Sequence, residues 1–347
     1  MAAQQFDDDQ PLAADNFDAD STYSEPVSAG LTSLRSSVLN WRVENGRTYH
    51  AMSDGKYSFP NDDRELDRLD LQHNMWLLTL RGKLALCPKE HGAKRVLDAG
   101  TGTGIWAMEY GDLHPQAEVI GVDLSPVQPN LVPPNVTFEA DDLEKEWTWN
   151  VPFDFIFARI LAGSLVSYED FVRKAYDNLE PGGYIELQEV ELPYRSDDGT
   201  LPEDSDIARY GQLFKDACKT INRPMVEGDQ LEEWVRKAGF VNVTRTQLKW
   251  PLNSWPADKH YKEIGAWCHY NVDQGLEGLS LALFTRILGW SKEETLVFCG
   301  KVRNQFKDRS IHAYSPITIV YAQKPGGPPA EEPEEEEAPA AAPAEEA

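Results

Sequence analysis

Short apolar blocks and longer amphipathic blocks alternate through the middle of this 347-residue chain. "RVLDA" (95–99), "EVIGVD" (118–123), "VTFEADD" (136–142), "FDFIFAR" (153–159) and "YIELQEVE" (184–191) are rich in Val, Ile and Phe at strand length. Helix-length segments separate several of them. One begins near Gly104 and another is "YEDFVRKAYDNLE", which a "PGG" turn at 181–183 follows. Strands linked by helical crossovers predict a parallel, doubly wound α/β sheet with helices on both faces. "DQLEEWVRKAGF" (229–240) predicts a further helix, stopped at Gly239, and "VNVTRTQLKW" (241–250) and "HAYSPITIVYAQK" (312–324) two late strands. Between these strands, 251–309 reads as helical in three pieces, "KHYKEIGAWCHYNVDQ", "LSLALFTRIL" and "SKEETLVFCGKVRNQF".

Residues 31–90 read as mostly helical with a turn-rich middle. In "DRELDRLDLQHNMWLLTLRGKLAL", Leu66, Leu69, Met75 and Leu78 recur at helical spacing, and Asn61 or Asp62 supplies the N-cap. The ends differ from the middle. Residues 1–30 carry seven acids and 325–347 eight Glu, with no Lys or Arg in either, and both read as disordered. The expected organisation is therefore a folded domain over 31–324: N-terminal helices at 31–90, a cofactor-binding core at 91–250, a helical cap at 251–309 and a last strand at 310–324.

The loop between the first strand and its helix carries the clearest chemistry. It reads Asp98-x-Gly100-x-Gly102-x-Gly104, with Thr101 between the first two glycines. Glycine permits positive φ and lets a ligand touch the backbone, and the helix that follows offers free N–H groups. A dinucleotide fingerprint needs glycine at 105, where this chain has Ile105. A carboxylate two residues before the first glycine suits a positively charged ligand group, such as the ammonium of a methionine moiety. Asp123 ends the second strand and is placed to accept both hydroxyls of a ribose. In "EADDLE", Asp141 or Asp142 is placed to accept from an adenine amino group, with Leu143 against the ring.

Composition narrows the partners. The net charge is −25 and the middle alone carries about −10, which opposes nucleic acid as a main partner. Cys87, Cys218, Cys268 and Cys299 lie far apart without a C-x-x-C, and the seven His form no H-E-x-x-H, so no metal site is expected. These features fit a reducing compartment, the cytoplasm first and the nucleus second. No run is long and apolar enough for a membrane span, so no membrane partner is expected.

"LDAGTGTG", "GVDLSP", "EADDLE" and "LEPGGYIEL" together resemble the motif series of class I S-adenosylmethionine-dependent methyltransferases. "NGRTYHAMSDGKYSFPNDDRELDRLDLQH", "SDDGTL", "LEGLSLALFTRILGW" and "KVRNQFKDRSIHAYSPITIVYAQKP" are similar to the LaeA-like methyltransferases of filamentous fungi, over about 31–325. The resemblance implies a Rossmann-like sheet of seven strands with an antiparallel last strand, and helical segments over the active site. It implies S-adenosylmethionine contacts from Asp98, Gly100, Thr101, Gly102 and Gly104, and from Asp123, Leu124, Asp141, Asp142 and Leu143. Arg159 and Tyr49 join them as expected cofactor residues.

The acceptor side is less defined. Arg159, Ser164, Glu189, Glu191, Tyr49 and His50 are polar candidates, Trp255, Trp267 and Trp290 candidate pocket walls, and His269 the candidate base. The expected activity is methyl transfer to a small molecule of fungal secondary metabolism. The alternative is a regulator of secondary-metabolite gene expression that acts through protein partners. A nicotinamide oxidoreductase rests only on the sheet, and Ile105 opposes it.

Overall fold

A computed structural model describes residues 41–49 and 59–326. The segments expected to be disordered, 1–30 and all but the first two residues of 325–347, lie outside these residues, as do 31–40 and His50.

The described chain begins with a hairpin, not a helix. Strands β1 (Arg42–Glu44) and β2 (Arg47–Tyr49) pair antiparallel around Asn45-Gly46, at φ 53° and 84°. Asn-Gly takes the two left-handed positions of a tight hairpin turn, and this local signal overrides the weak helical spacing expected there. Helix α1 (Asp63–Thr79) follows, its N-terminus capped by Asp62, which accepts from the Glu65 N–H at 3.2 Å.

Strands β3 (Arg95–Ala99), β4 (Glu118–Asp123), β5 (Val136–Ala140), β6 (Phe153–Arg159), β7 (Leu179–Val190), β8 (Val241–Pro251) and β9 (Tyr314–Gln323) form one sheet, in the order β5-β4-β3-β6-β7-β9-β8. The first five run parallel, and β9 lies antiparallel between β7 and β8. Helices α2 (Ile105–Leu113), α3 (Tyr168–Asn178) and α5 (Gly228–Lys237) belong to the two faces. Alternation along β3 shows how. Val96 joins Trp106, Tyr110 and Phe155 on one side, and Leu97 and Ala99 join Phe171, Val172 and Leu231 on the other. Strand order reverses between β3 and β6, which opens a crevice at their carboxyl ends.

Two expectations need correction. The "PGG" turn is instead the irregular start of β7, where Gly182 at φ 86° donates to the Lys324 carbonyl and the register against β6 shifts. The cap's first two helices are one, α6 (Lys259–Arg286), 28 residues long. It runs unbroken through Gly275 and Gly278 because the Arg68 and Arg47 side chains fill the space where a Cβ would stand, at 2.9 and 2.6 Å. Helix α4 (Asp206–Thr220) lies where no element was expected, with Ile207, Tyr210, Phe214 and Ala217 on its buried face. With α7 (Lys292–Phe306) it packs on α6 around Met75, Trp76, Trp250 and Phe284. Among the described residues no helix is long and apolar enough to cross a membrane.

Candidate active site

The crevice holds a cavity of about 300 Å³, walled by α1, the loops after β3 to β6, and α6. At the tip of β3, the Gly100 and Thr101 N–H groups both donate to the Val122 carbonyl, at 2.9 and 3.0 Å, which clamps the loop to the end of β4. The Gly102 N–H donates to Asp123 Oδ2 and the Ser125 N–H to Oδ1, both at 2.9 Å. The Leu124 N–H also faces this carboxylate, which lines the cavity.

The three glycines of this loop have different reasons. All have positive φ, at 76°, 57° and 84°. A Cβ on Gly100 would collide with Leu161 and one on Gly104 with Phe138, so both are required by packing within the protein. Of the three, only Gly102 would take a Cβ without collision, at ordinary contact distance, 3.7 Å, from Leu69 Cδ1. Gly100, Thr101 and Gly102 line the cavity, and Gly104, the N-cap of α2, does not. Of the expected run, Gly100, Thr101 and Gly102 therefore face the cavity, and Gly104 serves the packing of α2 on β5.

Beside the loop lies a buried charged group. Asp98 accepts from Thr101 Oγ1 at 2.5 Å, and burial pushes its carboxyl up to about 7, against the pull of Arg159. Arg159 ends β6, donates from Nε to Gln188 Oε1 at 2.8 Å, and lies over Trp76 and Phe157 with Cζ about 5 Å from each ring. Its Nη1 contacts His73 Nδ1 at 3.1 Å, and His73 Nε2 contacts Glu109 Oε2 at 2.9 Å. Arginine only donates, so His73 must accept at Nδ1 and carry its proton at Nε2. Burial, and then Arg159, lower the His73 pKa, which favours that neutral tautomer. Burial also lowers Arg159 to about 9, and its Nη2 is buried without a partner among the described residues. His73 is a site residue that sequence reasoning missed. Its only signal is its helical spacing from Arg68, Leu69 and Trp76 on the inner face of α1.

The third wall is the turn after β5. Asp141, Asp142 and Leu143 all line the cavity. Asp141 is exposed, and its side chain accepts from the Asp142 N–H at 2.7 Å, while Asp142 is buried and accepts from the Glu144 N–H at 3.1 Å. Leu124 completes this side. Arg223 closes the rim, pairing with Glu144 at 2.8 Å and donating to the Ser164 carbonyl.

Residues 71–245 match the family profile described as "Methyltransferase domain". The chain belongs to that methyltransferase family. It is 43% identical to methyltransferase pytC of Aspergillus terreus over 298 residues, covering 86% of this chain and 92% of that protein. It is 37% identical to the secondary metabolism regulator LAE1 of Cochliobolus heterostrophus, over 82% of this chain and 94% of that protein. Among solved structures, phosphoethanolamine N-methyltransferase 2 of Haemonchus contortus, in complex with S-adenosyl-L-methionine, is similar at a TM-score of 0.45 and 18% identity. That match covers 80% of this chain and 62% of that one.

In this methyltransferase the deeper half of the cavity is apolar and aromatic. Trp76, Tyr194, Tyr210, Phe214, Trp250 and Leu276 line it. One polar cluster interrupts it. Arg68 holds Glu65 through Nε and Nη2, the latter at 2.7 Å, and donates from Nη1 to Asn271 Oδ1 at 2.9 Å.

Several expected residues fall elsewhere. Tyr49 is buried beneath Arg286, whose Cζ is 5.0 Å from its ring. It anchors the β1–β2 hairpin to α6 and does not line the cavity. His269 is on α6 but not among the cavity residues, and its Nδ1 is buried without a partner among the described residues. The helical period turns Cys268, Asn271 and Val272 inward in its place. Trp255 stacks on His312, Trp267 is exposed, and Trp290 packs on Phe284 and Phe298, so none walls the cavity. Glu189 is fully buried. It accepts from the Leu161 and Ala162 N–H groups and the Tyr168 hydroxyl, so it shapes the loop after β6. Glu191 accepts from Thr318 and pairs with Arg195 at 3.0 Å, and of the described polar candidates Arg159 and Ser164 line the cavity.

Proposed function

We propose that this methyltransferase binds S-adenosylmethionine between the glycine loop, Asp123 and the 141–143 turn, and methylates a small molecule in the aromatic half of the cavity. The observation that carries the reading is the arrangement of unfilled donors and acceptors along one wall. Asp123 presents its carboxylate at the cavity wall for a ribose diol, a Cβ on Gly102 would meet no side chain nearer than 3.7 Å, and Arg159 Nη2 is a buried donor without a partner among the described residues. Asp98 is the counter-ion for the ammonium of the methionine moiety, and Arg159 Nη2 donates to its carboxylate. Asp141, the exposed member of its pair, faces the adenine end, and Leu143 packs on the base.

The bound cofactor supplies an electrophilic methyl on a sulfonium. The protein aligns the acceptor with it and keeps water out, which converts a bimolecular encounter into a positioned one. Trp76 and Phe157, packed against Arg159, mark the junction between the two halves of the cavity. His73 holds Arg159 in place from behind. Its Nδ1 is already committed to Arg159, so it does not act as a base on the acceptor.

Calorimetric titration of the full chain with S-adenosylhomocysteine tests the reading. One molecule should bind per chain, and Asp123→Ala should lose at least tenfold in affinity, the consequence of removing two charge-assisted hydrogen bonds. Equal affinity in the variant contradicts the proposal. A second reading, regulation through a protein partner, draws support from the likeness to LAE1 over 94% of that protein. Recovery of a stoichiometric protein complex from native fungal extract favours it. The chain alone methylating a small metabolite favours the first. The proposed place of action is the cytoplasm, with the nucleus attached to the second reading.

A further inference from the structure

The polar cluster in the aromatic half of the cavity has one donor left over. Asn271 is 6% exposed and lines the cavity from α6. Its amide orientation is fixed by chemistry. Arg68 can only donate, so the atom 2.9 Å from its Nη1 must be the Asn271 oxygen. Arg68 is itself locked by Glu65 and packs against Gly275, where any side chain would displace it. The Asn271 NH₂ group therefore points away from Arg68. It makes no hydrogen bond among the described residues, yet it is not one of the sealed polar atoms and keeps open space beside it. The cavity that it lines is also lined by the apolar Trp76, Val272, Leu276 and Leu279. An amide donor in such surroundings is costly unless something accepts from it.

We propose that Asn271 is the specificity-determining residue for the methyl acceptor, its Nδ2 hydrogen-bonding a lone-pair oxygen of a flat, largely apolar molecule. This inference rests on the methyl-transfer reading for the word "acceptor". The recognition itself rests on the cavity alone. A donor-only anchor selects a carbonyl, phenolate or carboxylate oxygen and rejects an ammonium. The aromatic walls select rings and alkyl chains, and the Glu65–Arg68 pair sets the anchor without adding net charge. The methylated atom then lies at the opposite end of the molecule, toward Arg159 and the glycine loop.

A matched pair of fluorescent probes tests this on the full chain saturated with S-adenosylhomocysteine. 8-Anilinonaphthalene-1-sulfonate carries an oxyanion, and N-phenyl-1-naphthylamine is the same ring system without it. Asn271→Asp keeps shape and the Arg68 contact but turns the donor into an acceptor. Asn271→Leu removes it. Both variants should bind the sulfonate about tenfold or more weakly while binding the neutral probe within about twofold of wild type, as expected for loss of a hydrogen bond to a charged group. Sulfonate affinity unchanged in both variants, or both probes weakened equally in Asn271→Asp, overturns the proposal. S-adenosylhomocysteine affinity separates the two layers of the argument. If the wild type binds none, the cofactor reading fails, and the probe pair still reports on Asn271. If both variants bind it normally, loss of fold does not explain a loss of the sulfonate.

Discussion

At the scale of single residues, the site is set by where burial puts charge. Asp98 is held protonated to about 7 by the low-dielectric wall behind it, and Arg159 offsets this only partly. Since its folded-state pKa lies above its ordinary value, the stability it lends the free protein is full in acid and declines as pH rises toward about 7. Cofactor binding works in the opposite sense, because an ammonium needs the carboxylate. Affinity for S-adenosylmethionine should therefore rise from pH 6 to about pH 7.5 and then level, with net proton release seen by calorimetry in buffers of different ionisation enthalpy. Asp98→Asn should flatten that rise. A wild-type profile flat from pH 6 to 8 contradicts this role. That Asp98 and Asp123 would stand at the crevice was legible in the sequence, because position relative to a strand end is a local matter. His73 and Asn271 were not, because what makes them site residues is Arg159, 86 positions from His73, and Arg68, 203 positions from Asn271.

At the scale of elements, the glycine loop separates two roles that its sequence merges. Gly102→Ala adds a methyl on the cavity wall at φ 57°, in ordinary contact with Leu69. It should weaken S-adenosylhomocysteine at least tenfold and cost the fold only about 1 kcal/mol. Gly104→Ala drives a methyl into Phe138 at φ 84° and should destabilise by about 2–4 kcal/mol in urea titration, with affinity in the surviving folded fraction near wild type. The reverse pattern contradicts the division. Strands β3, β4 and β6 were readable to the residue, since they carry their own apolar runs and end in turn chemistry, whereas β7 takes in the expected Pro-Gly-Gly turn. The β1–β2 hairpin was missed because the three-residue strands on either side of Asn45-Gly46 are too short to show a period. The expected break in α6 failed because Gly275 and Gly278 answer to arginines on distant segments and not to helix ends.

At the scale of the molecule, a widespread sheet topology is turned into a particular chamber by what covers its crevice. The sheet supplies Asp98, Asp123 and Arg159 at its carboxyl edge, and α1 and α6 supply the roof. That roof is tied together by Arg68 of α1 on Asn271 of α6, so the cavity is complete only once two segments far apart in sequence have packed. The general fold followed from alternating strands and helices. The shape of the chamber depends on tertiary contacts that no local pattern encodes.

The most direct measurement is a crystal structure of the full chain with S-adenosylhomocysteine. The account predicts the ribose hydroxyls on Asp123, the amino acid end between Asp98 and Arg159 Nη2, and the sulfur facing the aromatic half that contains Asn271. A ligand seated elsewhere, or seated there with its ribose away from Asp123, contradicts it.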